Sequence, residues 1–126
     1  MHIILTSLSD FLLSAPSTAA IVPTIISVKH DATATFTCTV GGYPIKSVKI
    51  SGPNSLDLDC ISSQSSGDVT CSSTDKMKYV VNVQNFELSD AGNYRCTVET
   101  EWYKSRSSSA ITTFAHDEVT LSFGNL

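Results

Sequence analysis

The chain has no Cys-x-x-Cys pair, no Asn-x-Ser/Thr acceptor, three histidines, and only eight Lys and Arg among 126 residues. Each shortage removes a class of function. His2, His30 and His116 lie far in sequence from the four cysteines, so a closed zinc site has little support. The basic residues are scattered and the net charge is -4, which argues against a nucleic-acid partner. Nothing reaches the roughly 18 consecutive apolar residues of a membrane span, so membrane attachment would rest on a segment outside this chain. Without an Asn-x-Ser/Thr site, no N-linked glycan screens the surface. His30-Asp31 and His116-Asp117 are sequence neighbours, which point to opposite faces of a strand, so neither reads as a base with its orienter. Both read as turn or terminal residues. No enzyme, small-molecule substrate, metal or cofactor is expected.

Helix periodicity is also scarce. After residue 20 no long stretch repeats apolar residues at three and four positions, whereas strand signals recur between turn residues. Ala34, Phe36, Cys38 and Val40 alternate with Thr35, Thr37 and Thr39, the pattern of a half-buried strand with a threonine outer face. Ile21–Val28 reads as an edge strand carrying Pro23. Ile45–Ile50, Leu56–Cys60, Val69–Cys71, Lys78–Val83, Tyr94–Thr100 and Ala110–Phe114 are further strand candidates. Glu101–Ser109 reads as a loop, and Lys46 and Lys49 fall on opposite faces of their strand. Asp57 and Asp59 share one strand face and read as solvated carboxylates. Seven or so short alternating strands make a β-sandwich.

The ends are less regular. Residues 1–20 hold apolar runs and close in small residues, with Ala19 and Ala20 at plausible cleavage positions, but no Lys or Arg opens them and Asp10 interrupts them. They read either as a signal peptide or as an N-terminal extension. Residues 21–114 form the domain, and 115–126 a last strand or C-terminal linker. Four cysteines in a short chain suit two disulfides and an oxidising compartment.

One stretch carries more information than the rest. Asp90, Gly92, Tyr94 and Cys96 occupy every second position, so on a strand all four share one face. Upstream stand Val81-x-Val83-x-x-Phe86-x-x-x-Asp90 and Cys38-x-Val40-x-Gly42-x-Pro44-x-x-x-Val48-x-Ile50. Together these segments, spanning about Pro23 to Phe114, resemble an immunoglobulin superfamily domain of the I-set branch, with a V-like domain as the runner-up if the Val119–Phe123 alternation is the last strand. The resemblance implies an all-β, immunoglobulin-like Greek-key sandwich of two antiparallel sheets. It implies that Cys96 bridges Cys38 across the sheets and that the Tyr94 hydroxyl returns to the backbone near the turn. Gly92 would leave room for the ring, and Asp90 would cap or pair at the turn. Ile50 stands where the family usually has a buried tryptophan, so the core must close differently there. Cys60 and Cys71 are left over; a second disulfide is the expectation, two independent thiols the alternative.

The resemblance also sets the functional expectation: an extracellular protein-binding module, secreted or on a cell-surface receptor or adhesion or immune-recognition protein. The partner would be another protein, an identical copy included. Trp102, Tyr103, Lys104 and Arg106 are the candidate contacts, since such residue types are enriched at binding hot spots. Trp102 has a competing reading, in which it packs back onto the sandwich and replaces volume missing at Ile50. The alternative function is a structural I-set spacer within a longer chain.

Overall fold

The computed structural model describes residues 14–62, 65–75, 77–103 and 109–124. Ten strands follow one another: β1 (Ala15–Val22), β2 (Ile25–Lys29), β3 (Ala34–Tyr43), β4 (Ile45–Gly52), β5 (Leu56–Asp59), β6 (Ser65–Ser66), β7 (Val69–Asp75), β8 (Lys78–Val83), β9 (Gly92–Tyr103) and β10 (Ala110–Gly124). A 3-10 turn, Leu88–Asp90, precedes β9. The first sheet has the order β1-β3-β8-β7-β6 and the second β2-β10-β9-β4-β5. The expected all-β, immunoglobulin-like sandwich is what the chain forms.

Alternation builds the core. Ala34, Phe36, Cys38 and Val40 of β3 are buried, as are Tyr79, Val81 and Val83 of β8 in the same sheet. Facing them are Val48 and Ile50 of β4, Tyr94, Cys96 and Val98 of β9, and Val119 and Leu121 of β10. Burying a side chain of this size contributes about 1.5–3 kcal/mol relative to leaving it in water.

Three departures from the sequence reading have physical reasons. Ile21–Val28 is not one edge strand: β1 pairs with β3 in the first sheet, and β2 pairs with β10 in the second. Pro23, with a cis Val22–Pro23 bond, lies between them. The β2–β10 pairing is parallel, so the second sheet is not wholly antiparallel. Finally, the run read as ending at Phe114 continues as one 15-residue strand, placing His116 and Asp117 inside β10 rather than at a turn or terminus.

β1 begins at Ala15, within the segment read as a leader or extension. It pairs with β3 from Ala15↔Tyr43 to Val22↔Thr37. Side chains fasten it to β10 as well. Ser17 donates from its backbone N–H to Thr113 Oγ1 at 2.9 Å and from its hydroxyl to the Thr113 carbonyl at 2.8 Å. The Ile21 N–H donates to Asp117 Oδ2 at 2.7 Å. The two sheets are thus tied along the β1/β10 side by hydrogen bonds.

Candidate protein-recognition surface

The row of alternate residues in β9 forms a buried corner. Cys38 and Cys96 are joined, with Cα atoms 6.5 Å apart, across the two sheets. Tyr94, 1% exposed, sets its ring 6.0 Å from that of Phe36, and its hydroxyl donates to the Asp90 carbonyl at 2.7 Å. Burial, and then the Asp90 carboxylate, push the Tyr94 phenol up to about 12. Asp90 also accepts from the Glu87 N–H at 2.9 Å and from Asn54 Nδ2 at 3.4 Å, which fixes the turn.

Gly92 has a different task from the one expected. Its φ is +145°, a region L side chains rarely adopt, and an added Cβ would lie 2.9 Å from Pro53 Cγ. The glycine that clears the Tyr94 ring is Gly52, where a Cβ would sit 2.8 Å from Tyr94 Cδ2. Sequence reasoning missed Gly52 because it belongs to β4, remote in sequence from the motif.

Cys60 and Cys71 form the second disulfide, with Cα atoms 5.5 Å apart. It joins the end of β5 to β7, so it too bridges the sheets, on the side opposite β1. Beside it opens a cleft of about 530 Å³, lined by Tyr43, Ile45, Ile61, Met77 and Tyr79 among others. Nothing in the sequence pattern marked this cleft, because its walls come from both sheets.

The expected loop residues separate. Trp102 and Tyr103 end β9 rather than lying in a loop, paired with Ile111 and Ala110 of β10. Lys104 and Arg106 lie outside the described residues. Trp102 shares the inward parity of Thr100 and is half-buried; its Nε1 is buried with no hydrogen-bond partner among the described residues. It stands six residues beyond Cys96, whose cross-strand partner is Ile50. Six strand residues span roughly 20 Å, so Trp102 is too remote to replace volume at Ile50. Ile50 is itself fully buried.

Tyr103 points outward and is 59% exposed. On the same outer face lies Phe114 of β10, 64% exposed and opposite Glu99. Around these rings runs a set of ion pairs. Lys46 Nζ lies 3.4 Å from Glu101 Oε2 and 3.8 Å from Glu99 Oε2, and the Glu101 carboxylate in particular raises the Lys46 ammonium above its usual range. Arg95 Nε donates to Glu118 Oε2 at 2.9 Å. Lys46 and Lys49 do not face opposite ways after all. A register shift between Ile45 and Ser47 turns Lys46 to the outer face that Lys49 already occupies. Asp57 and Asp59 share that face, opposite Ser51 and Lys49, and Asp59 Oδ1 accepts from the Ile61 N–H at 3.0 Å. Among the described residues no group of three or more His, Cys, Asp or Glu is placed to hold a metal ion, and no helix is long and apolar enough to cross a membrane.

Comparison with known proteins agrees with this geometry. No curated protein matches the chain. Among solved structures, it is similar to a chain from a study of T cell specificity and activation by toxic shock syndrome toxin-1. The identity there is 15%, the TM-score 0.59, and the match covers 86% of this chain and 99% of that one. It is similar to a structure concerning Dscam isoform specificity, at 21% identity and a TM-score of 0.54. It is also similar to the N-terminal four Ig domains of Dscam1 isoform 6.44, at 23% identity and a TM-score of 0.56. In both Dscam cases the match covers 88% of this chain and 22% of the other, so this chain spans about a fifth of their length. At such identities the likeness is one of fold. The last strand does include Val119–Phe123, the condition attached to a V-like domain, but the second sheet ends at β5, at the edge beside β4, and the immunoglobulin I-set domain model matches residues 17–113. The chain belongs to the immunoglobulin I-set family.

Proposed function

We propose that this domain is an extracellular protein-recognition module of a cell-surface receptor or an adhesion or immune-recognition protein. Its partner, another protein, docks on the outer face of the second sheet at the end where β9 meets β10. Immunoglobulin domains generally mediate protein–protein contact and are generally not enzymes, so the question is which surface is used. One observation carries the choice. Tyr103 and Phe114, both more than half exposed, share one outer face ringed by Lys46, Glu99 and Glu101. Exposed aromatic rings within a polar rim are the usual anatomy of a binding hot spot. Two disulfides suit an oxidising location.

The experiment uses the secreted chain on beads, watched for clustering and screened against cell-surface ectodomains, alongside Trp102→Ala, Tyr103→Ala and Phe114→Glu. Binding that is lost in Tyr103→Ala and Phe114→Glu, with thermal melts unchanged, supports the proposal; binding that survives in both overturns it. A second reading, an I-set spacer with no partner of its own, is favoured by the match to one part of four-domain chains. The absence of any binding to beads or ectodomains would favour it.

A further inference from the structure

Three large apolar side chains meet water beside the second disulfide. Tyr43 is 54% exposed, Ile61 46% and Met77 41%, and all three line the cleft of about 530 Å³. They come from separate places in the chain: the end of β3, the turn after β5, and the turn between β7 and β8. Single exposed apolar residues need no explanation, but three that converge on one concave site do. The Cys60–Cys71 bridge fixes the walls relative to each other. Ile61 follows Cys60 on one wall, and Ser73 lies two residues beyond Cys71 on the other. The cleft is therefore preformed, and its volume falls in the ordinary range of small-molecule sites, roughly 300–1,000 Å³.

The polar groups in the cleft are few, and one of them is unspent. Tyr79 lines the cleft while only 7% exposed, and among the described residues its hydroxyl has no hydrogen-bond partner. A buried tyrosine hydroxyl usually finds one, as Tyr94 does at the Asp90 carbonyl. Burial, and then the Asp59 carboxylate, raise the Tyr79 phenol above its ordinary value, so its O–H stays a donor at neutral pH. Asp75 also lines the cleft, its Oδ1 accepting from the Met77 N–H at 2.7 Å, and no Lys or Arg is among the described lining residues. We infer that this cleft binds a small, neutral, largely apolar molecule that carries one carbonyl or hydroxyl oxygen. The apolar body packs among Tyr43, Ile61 and Met77, and the oxygen accepts from the Tyr79 hydroxyl. Charge decides against an anion: the Asp75 carboxylate opposes a carboxylate or phosphate, and no cation in the lining offsets it. The cleft shares no lining residue with the Tyr103 and Phe114 surface, so the inference is independent of that protein contact.

Two probes of matched size test it: 2-acetylnaphthalene, which is neutral and carries a carbonyl, and 2-naphthoate, which is anionic. Each is titrated to about 1 mM into the isotope-labelled full chain at neutral pH, and backbone amide shifts are followed by NMR. 2-Acetylnaphthalene should give saturable shifts at Ile61, Met77 and Tyr79, with a Kd of about 0.1–0.5 mM for a ligand of its size. 2-Naphthoate should bind at least about tenfold more weakly. Tyr79→Phe keeps the ring, should melt like the wild type, and should weaken 2-acetylnaphthalene about three- to tenfold. Ile61→Glu, at an exposed position, should weaken it at least about tenfold. A wild type with no saturable shifts, shifts centred away from the cleft, 2-naphthoate binding as well as the ketone, or an affinity unchanged in both variants would each overturn the inference.

Discussion

Replacing Tyr94 by Phe removes one oxygen from a side chain 1% exposed and leaves the ring in place. The lost hydroxyl donates to the Asp90 carbonyl at 2.7 Å, so the variant loses one hydrogen bond and leaves an acceptor at the turn unpaired. A hydrogen bond contributes about 0.5–1.5 kcal/mol net, and an unsatisfied buried group costs about 1–3, so a loss of about 1–3 kcal/mol is expected at pH 7. The same buried phenol couples stability to alkaline pH. Its folded-state value is pushed up to about 12 from an ordinary 10.0, so the folded chain holds its proton after the unfolded chain has released it. The contribution is fully present below pH 10, declines as pH rises, and by pH 12 roughly 2 kcal/mol of it is lost. At pH 11 about 1 kcal/mol of it should be gone. The Phe variant has no such proton. Urea unfolding followed by Trp102 fluorescence, at pH 8 and pH 11, should find the gap between wild type and variant narrowing by about 1 kcal/mol. A gap that stays constant, or a variant as stable as wild type at pH 8, would refute the reasoning.

Gly92→Ala should destabilise by about 1–3 kcal/mol in thermal melts, since the new Cβ takes a φ of +145° and approaches Pro53 to 2.9 Å; a neutral result would contradict the geometry. Asp117 is held below the usual carboxylate range by the Ile21 N–H and then the Glu118 N–H. Its contribution is therefore present above the unfolded-state value of 3.8 and is lost as pH falls through the lower folded-state value. Asp117→Asn should accordingly flatten the acid limb of stability between about pH 5 and pH 2, and an unchanged acid limb would count against the β1–β10 tie.

How far the sequence could be read depends on whether a feature is local. The period-2 pattern of Ala34–Val40 and the Asp90–Cys96 row are local, and the structure places the β3 side chains, Tyr94 and Cys96 on the expected faces, with Asp90 in the 3-10 turn ahead of β9. The pairing of Cys60 with Cys71 followed from an even count and a resemblance. What escaped is non-local. Whether Ile21–Val28 stays in one sheet is decided by which strands, β3 or β10, offer a free edge on either side of Pro23. The side to which Lys46 points depends on a register shift against Thr100 and Glu99. Trp102 and Tyr103 looked like loop residues because Glu101 and Lys104 flank them, yet β10 continues pairing as far as Ala110. Phe114 drew no attention as a surface residue, since alternation alone does not tell which of two faces meets water. The threonine-rich outer face of the first sheet was written in the threonines of β3, but its extent needed β1, β7 and β8 beside it.

An I-set sandwich proposed to work outside the cell should carry both bridges between its sheets in the native protein. Non-reducing peptide mapping by mass spectrometry, on the chain secreted from eukaryotic cells, tests it most directly. The map should show Cys38 linked to Cys96 and Cys60 linked to Cys71, with no free thiol. Four free thiols in the native protein, or any other pairing, would contradict it.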